Sequence, residues 1–333
     1  MFEGSITMDS SLKSSACDKK TRRLFQSLPK TDFKFNYTNS STYTGPIVDG
    51  WPPNISRVLE DYVPRKSDFF TILPREIDPI ATELLILVKM QVDGYEKREN
   101  IRGSWGKHLT KLSPHSRTVF ILGNNKDWTN SKELQNEINI HGDILQGSFV
   151  DSYYNLTLKT VSAFKFVVET IKWIHRPKII ITIDDDVFLN MPLLLKELND
   201  LNYQCNGPYL LGGLQNGVLP RRNPKSAKKS SKWGVPSYIF ADKIYPPYIE
   251  GMMSIMSFET VQCLFEESYN LPVFHLEDVF MTGFSAKRCG IEPRQQKGLL
   301  TWNIPLQSFD VNYHVAFHII EYSKEMYNEI EKN

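Results

Sequence analysis

One segment limits the fold more than any other. Lys178-Ile179-Ile180-Ile181-Thr182-Ile183 is almost continuously apolar and β-branched, and it runs straight into Asp184-Asp185-Asp186. A strand that is apolar toward both faces belongs inside a sheet covered on both sides, as in an α/β protein. The acidic triplet then ends that strand, at the sheet edge where the loops of an α/β fold make the ligand crevice. Side chains alternate along extended backbone, so Asp184 and Asp186 share one side and Asp185 takes the other. Neighbouring carboxylates repel unless a cation or strong donors offset them, so Asp184/Asp186 reads as a divalent metal site. Oxygen donors with few histidines favour Mg2+ or Mn2+. Taken alone, the triplet also suits a solvated acidic turn, a phosphoryl-transfer enzyme or a nuclease.

The neighbouring pattern alternates strand and helix. Leu84-Leu85-Ile86-Leu87-Val88 and Val119-Phe120-Ile121-Leu122-Gly123 read as two more buried strands. A helix is expected from about Tyr95 and another from Ser131 to Ile140, opened by capping-type residues. Leu158, Val161, Phe164, Val168, Ile171 and Ile174 recur at three- and four-residue steps, the stripe of a long amphipathic helix. Pro192 suits the first turn of the helix after the acidic triplet. Residues 1–80 are rich in Ser, Thr, Lys, Asn and Pro without a periodic apolar face, which reads as a polar stem or linker before a folded domain of residues 81–333.

Composition narrows the function. The 39 Lys and Arg nearly balance the 38 Asp and Glu of the 333 residues, leaving no general field for a nucleic acid. Cys17, Cys205, Cys263 and Cys289 lack the paired spacing of a structural zinc site, and their pairing is open. Sequons at Asn36, Asn39, Asn54 and Asn155 favour a secretory lumen. No run reaches the ~18 apolar residues of a membrane span, and residues 1–28 lack a signal-peptide apolar region.

Five blocks together are more specific than any one of them. They are Ile101-Arg102-Gly103-Ser104-Trp105-Gly106, Phe149-Val150-Asp151-Ser152-Tyr153-Tyr154-Asn155-Leu156-Thr157-Leu158-Lys159-Thr160, and Asp184-Asp185-Asp186-Val187-Phe188-Leu189-Asn190. Lys232-Trp233 with Tyr245-Pro246-Pro247-Tyr248 and Gly251 follow, and then Glu277-Asp278-Val279. Their identity and order resemble the beta-1,3-galactosyltransferase family. The resemblance implies an α/β fold of GT-A type, with a mixed central sheet flanked by helices and a Rossmann-like nucleotide-binding half joined to an acceptor-binding half. It also implies inverting transfer from a UDP-sugar to a glycan hydroxyl, Mn2+ or Mg2+ as cofactor, and a Golgi lumen reached through an N-terminal anchor that this sequence does not show.

Site roles follow from the same resemblance. Asp186 binds the metal on UDP, and Asp184 supports the nucleotide with Asp185 beside it. Asp278 is the general base and Glu277 orients it, although an N-terminal helix cap suits both carboxylates. The block Val315-Ala316-Phe317-His318 makes His318 the candidate third metal ligand, with His314 as runner-up. Arg102, Trp105 and Asp151 are expected around the nucleotide, and Trp233, Tyr248 and Gly251 around the acceptor, with Tyr245 as a further aromatic face. Lys159 suits either the nucleotide site or a solvated surface. The basic run from Arg221 to Lys232 is solvated, closes over the diphosphate or meets an acidic acceptor. Met252-Met253-Ser254-Ile255 replace the small residues and tyrosine usual after this glycine, so the sugar pocket is expected to be reshaped. UDP-galactose is the expected donor. UDP-N-acetylglucosamine, a catalytically silent sugar-nucleotide binder and a metal phosphohydrolase are the alternatives.

Overall fold

The structure, a computed structural model, describes residues 28–318 apart from 36, 38–42, 46, 67, 76–82, 128, 130, 172–175, 201–206, 223–230, 301–309 and 311. Its strands are β1 (Phe70–Ile72), β2 (Leu84–Lys89), β3 (Ser116–Asn124), β4 (Ile144–Val150), β5 (Ile179–Asp184), β6 (Val187–Leu189), β7 (Leu210–Gln215), β8 (Tyr248–Ser257), β9 (Arg294–Gln295), β10 (Leu299–Leu300) and β11 (Ala316–His318). Eight of them form one mixed sheet in the order β1-β4-β3-β2-β5-β8-β7-β9. Strands β4, β3, β2 and β5 run parallel, and β8 lies antiparallel to both β5 and β7. A smaller sheet, β10-β11-β6, carries the segment after the acidic triplet.

Every residue of β2 is buried, as expected of a central strand. Alternation sends Leu85, Leu87 and Ile180 to one face and Leu84, Ile86, Val88, Ile179, Ile181 and Ile183 to the other, and each face has its own apolar core. Five α-helices flank the parallel half: α1 (Tyr95–Gly103), α2 (Trp105–Leu112), α3 (Lys132–His141), α4 (Leu156–Lys165) and α5 (Met191–Asp200). Ser131 caps α3, its side chain accepting from Leu134 N at 3.1 Å. The single helix expected from Tyr95 is broken at Ser104, whose φ of −111° and ψ of −119° end α1. Gly106 permits the tight restart, because a Cβ there would stand 2.7 Å from the Ile101 carbonyl oxygen. The long stripe from Leu158 becomes α4 and then a π-helical turn, Phe166–Thr170. Ile174 lies outside the described residues.

Within the stretch expected to be a polar stem, residues 1–80, several described residues are packed. Phe35, Val48, Trp51, Leu59, Val63 and Phe69 are buried in the main core, and β1 pairs with β4. These apolar residues have no period because each fills its own pocket. The Phe35 ring lies 4.5 Å from that of Phe284, and Trp51 Nε1 donates to Tyr154 O at 2.9 Å. Packed structure thus begins well before residue 81. The sequon residues also separate. Asn54 is exposed, whereas Asn155 Nδ2 donates to Val150 O at 2.9 Å and the buried Thr157 hydroxyl donates to Phe274 O at 2.6 Å. Asn36 and Asn39 lie outside the described residues, as do Cys17 and Cys205.

Cys263 in α6 (Phe258–Ser268) is disulfide-bonded to Cys289 across 26 residues, closing the segment that contains Glu277 and Asp278. A loop of that length restricts the unfolded chain by about 3–4 kcal/mol. Cys263→Ser with Cys289→Ser is therefore expected to lower stability by about that amount in urea unfolding under non-reducing conditions. Among the described residues, no helix is long and apolar enough to cross a membrane.

Candidate active site

The chain steps outward from β2 to β3 and β4, then returns to the opposite side of β2 with β5. The crevice of an α/β sheet opens at such a reversal. Here Lys89, the last residue of β2, is paired in register with Asp184, the last of β5. Lys89 Nζ lies 3.0 Å from Asp184 Oδ1, 3.1 Å from Glu277 Oε2 and 2.9 Å from the carbonyl oxygen of Gly251. Burial alone would lower the ammonium pKa, but Asp184 and then Glu277 outweigh it and hold the charge above the ordinary lysine range. Sequence reasoning missed Lys89. Its signal was a lysine closing an otherwise apolar strand.

Glu277 is fully engaged, because its Oε1 also accepts from Thr160 Oγ1 at 2.8 Å. Asp278 is held differently. It is half-buried, and Oδ1 accepts a 2.8 Å hydrogen bond from Val279 N at the start of the π-helical segment Val279–Ser285. Burial, and after it the charge of Glu277, pushes its carboxyl up to about 7. A carboxylate with that proton affinity is far better matched to taking a hydroxyl proton than an ordinary aspartate. Gly251 lies beside both acids: a Cβ there would stand 3.6 Å from Glu277 Oε2, 3.9 Å from Asp278 Cβ and 3.9 Å from Lys89 Nζ.

The second half of the site forms where β11 pairs antiparallel with β6, placing His318 opposite Val187. One ligand atom each from Asp184, Asp186 and His318 can lie within 4.8 Å of the others, and His318 Nε2 is 3.8 Å from Asp186 Oδ1. Burial, followed by the charge of Asp184, raises the Asp186 carboxyl above its usual range. Two oxygen donors and one imidazole at this separation fit Mn2+ or Mg2+. The runner-up, His314, uses Nδ1 to accept from Asp310 N at 2.9 Å. Asp185 points elsewhere, as alternation requires, and pairs with Lys97 Nζ at 3.0 Å.

Other expected nucleotide residues have structural partners. Arg102 binds Asp143 at 2.7 Å, Glu99 at 2.6 Å and Glu137 at 2.8 Å, and it covers the Phe120 ring. Phe120 belongs to the core on the sheet face away from Leu85 and Leu87, the residues that alternate in phase with Lys89. The guanidinium is thus committed to carboxylates instead of being offered to a phosphate. Trp105 is fully buried in that same core, so its block spells helix packing. Asp151 accepts from Gly123 N at 2.9 Å and pairs with buried Lys159 at 2.7 Å. Lys159 also donates to Met90 O, which ties α4 to the end of β2 beside Lys89. The Asp151–Lys159 pair braces the crevice floor, and burial lowers the Lys159 ammonium pKa. Tyr245 and Tyr248 are buried, whereas Trp233 keeps 39% of its surface exposed. The Tyr153 hydroxyl accepts from the Trp233 indole and lies in the field of Asp278. Tyr153 is a further site residue that the sequence did not single out within its block.

His275, three residues before Asp278, is buried against the rings of Tyr154 and Phe274. Burial, and then the nearby Arg57 charge, pushes its imidazole down to about 3. The unfolded chain takes up this proton below about 6.5 while the folded chain does not until about 3, so stability is lost as pH falls through that window. His275→Phe is expected to remove up to about 1.4 kcal/mol per pH unit of that slope between pH 6 and 4, measured by urea unfolding.

The galactosyltransferase family model matches residues 96–297, from α1 through both acids to β9. Beta-1,3-galactosyltransferase 1 of Mus musculus is 29% identical over 241 residues, covering 72% of this chain and 71% of its own. Beta-1,3-galactosyltransferase 5 of Pan paniscus is 31% identical over 240 residues, covering 70% and 74%. The beta-1,3-N-acetylglucosaminyltransferase 7 of Rattus norvegicus is 32% identical over 230 residues, covering 66% and 55%. Among solved structures, the galactosyltransferase LgtC aligns over 74% of this chain and 95% of its own, at 11% identity and a TM-score of 0.35. With the acids of Glu277-Asp278 and Asp184-Asp185-Asp186 at one crevice inside the matched span, the chain belongs to the galactosyltransferase family and is a hexosyltransferase.

Proposed function

We propose that this chain transfers galactose from UDP-galactose to a hydroxyl, the 3-OH, of a glycan acceptor, with inversion to a beta-1,3 linkage. The observation that carries the reading is the division of labour among four carboxylates at one crevice. Lys89 pairs with Asp184 and Glu277, Asp186 and His318 face the metal position, and Asp278 is left with a raised proton affinity. Asp278 accepts the proton of the acceptor hydroxyl as that oxygen bonds to the anomeric carbon, and the bond from this carbon to UDP breaks on the opposite face. Glu277, fixed by Lys89 and Thr160, keeps Asp278 in place and adds the negative field that makes it basic. A divalent ion held by Asp184, Asp186 and His318 would supply charge compensation for the departing diphosphate. Gly251 leaves the space beside the acids free of any side chain.

The relative from Rattus norvegicus, named for transfer of N-acetylglucosamine, supports UDP-N-acetylglucosamine as the second donor reading. Met252 and Met253, directly after Gly251, are both buried in the second core. Residence in the Golgi lumen follows from the family and accords with the exposed sequon at Asn54.

The deciding experiment is UDP release by the purified chain with Mn2+, a panel of UDP-sugars, and galactose-, N-acetylglucosamine- and N-acetylgalactosamine-terminated acceptors. Acceptor-dependent release from UDP-galactose that a chelator stops is the expected result; release from another donor alone would replace the donor assignment. Asp186→Ala is expected to weaken Mn2+-dependent UDP binding at least about tenfold in calorimetry while metal-free binding stays the same.

A further inference from the structure

At the lip of the crevice, Arg221 and Lys232 are two exposed cations with no ion pair to any carboxylate among the described residues. Backbone pairing fixes their place. Arg221 bridges Gly234, and Val235 N donates to Arg221 O at 2.7 Å, which sets the arginine beside Trp233. The guanidinium carbon of Arg221 stands 5.1 Å from the Trp233 ring centre, and Lys232 Nζ stands 4.8 Å from the same ring. Lys232 Nζ also lies 4.5 Å from the ring centre of Tyr153, whose hydroxyl takes the indole hydrogen bond and lies in the field of Asp278. Arg222 is different in kind: its guanidinium is spent on the carbonyl oxygens of Val235, Phe240, Ala241 and Asp242 and shapes the lip.

Two like charges close to one half-open indole repel each other, and an anion in contact with both offsets that repulsion. The indole offers an apolar surface for the C–H side of a pyranose, and the two cations offer charge-assisted hydrogen bonds to a carboxylate or sulfate. We propose that Arg221, Lys232 and Trp233 form an acceptor subsite for a sugar that carries an anionic group, a carboxylate or a sulfate ester, beside Asp278. The assignment to the acceptor rests on the transferase reading, since Asp278 marks where the reacting hydroxyl lies and the Asp184, Asp186 and His318 cluster serves the diphosphate.

The test measures binding of 6-O-sulfated and unsulfated N-acetyllactosamine, and of a uronic-acid-terminated disaccharide, to the full chain with UDP and Mn2+. Isothermal calorimetry is run at low and at high salt. At least one anionic disaccharide is expected to bind about tenfold or more tightly than the neutral one at low salt, with the advantage shrinking at high salt. The same advantage is lost in Arg221→Gln and Lys232→Gln, while the Kd for UDP stays the same. Equal binding of the neutral and anionic disaccharides, or no binding of either, overturns the subsite. Weaker UDP binding in these variants with the acceptor preference intact assigns the cations to the donor instead and overturns it as well. Transfer is followed in parallel: an anionic preference without any transfer leaves the subsite standing and removes the transferase reading.

Discussion

Asp278→Asn is expected to lower transfer by about 10³-fold or more while UDP and Mn2+ still bind, because the amide keeps the shape of the side chain and loses its basicity. The amide oxygen can still accept from Val279 N, so the cap on the π-helical segment persists and the fold is retained. Removing the negative charge next to Glu277 also relieves a like-charge contact, which adds to the case that lost activity is not lost folding. The wild-type pH dependence should carry the same information. Burial and Glu277 raise the Asp278 carboxyl to about 7, so the basic form is depleted as pH falls below that value. The acid limb of kcat/KM is therefore expected to bend near pH 7, well above the range of an ordinary aspartate. A limb bending near 4, or an asparagine variant with unchanged kcat, would remove Asp278 from the base role.

Lys89→Met is expected to damage stability and activity together. The ammonium is almost wholly buried and holds Asp184 at 3.0 Å and Glu277 at 3.1 Å. Its removal leaves Glu277 as an uncompensated buried charge, a change that costs about 3–5 kcal/mol in comparable sites, and the more accessible Asp184 recovers part of its loss through water. Urea unfolding should show a loss of about 3 kcal/mol. The test of mechanism is the double variant with Glu277→Gln. If the cost arises from the unpaired carboxylate, the second change restores part of the stability lost in the first, and the two effects are far from additive. Additive losses would mean that Lys89 acts through packing alone. Activity should not recover with stability, because Glu277→Gln also removes the charge that raises the proton affinity of Asp278.

The sequence by itself determined the layers and the chemistry that depends on alternation. Continuous apolar runs announced β2, β3 and β5, because a strand buried on both faces has no polar side to show. Period-two alternation set Asp184 and Asp186 together and sent Asp185 to Lys97. Short ordered blocks also pointed to the family and to Glu277-Asp278. Only the tertiary structure decided what depends on contacts distant along the chain. Phe35 and Trp51 looked like stem residues because a side chain that fills one pocket leaves no periodic trace. Arg102 and Trp105 carried a nucleotide-site motif, yet the partners that claim them, Asp143, Glu137 and the second core, are set by packing across α1, α2 and β3. Lys89 went unnoticed for the same reason: a lone lysine at a strand end comes to hold two carboxylates only when β2 and β5 meet in register and Glu277 arrives from 188 residues away. Local periodicity fixes which way a side chain faces, and a buried ion pair exists only once the fold has brought its partner to it.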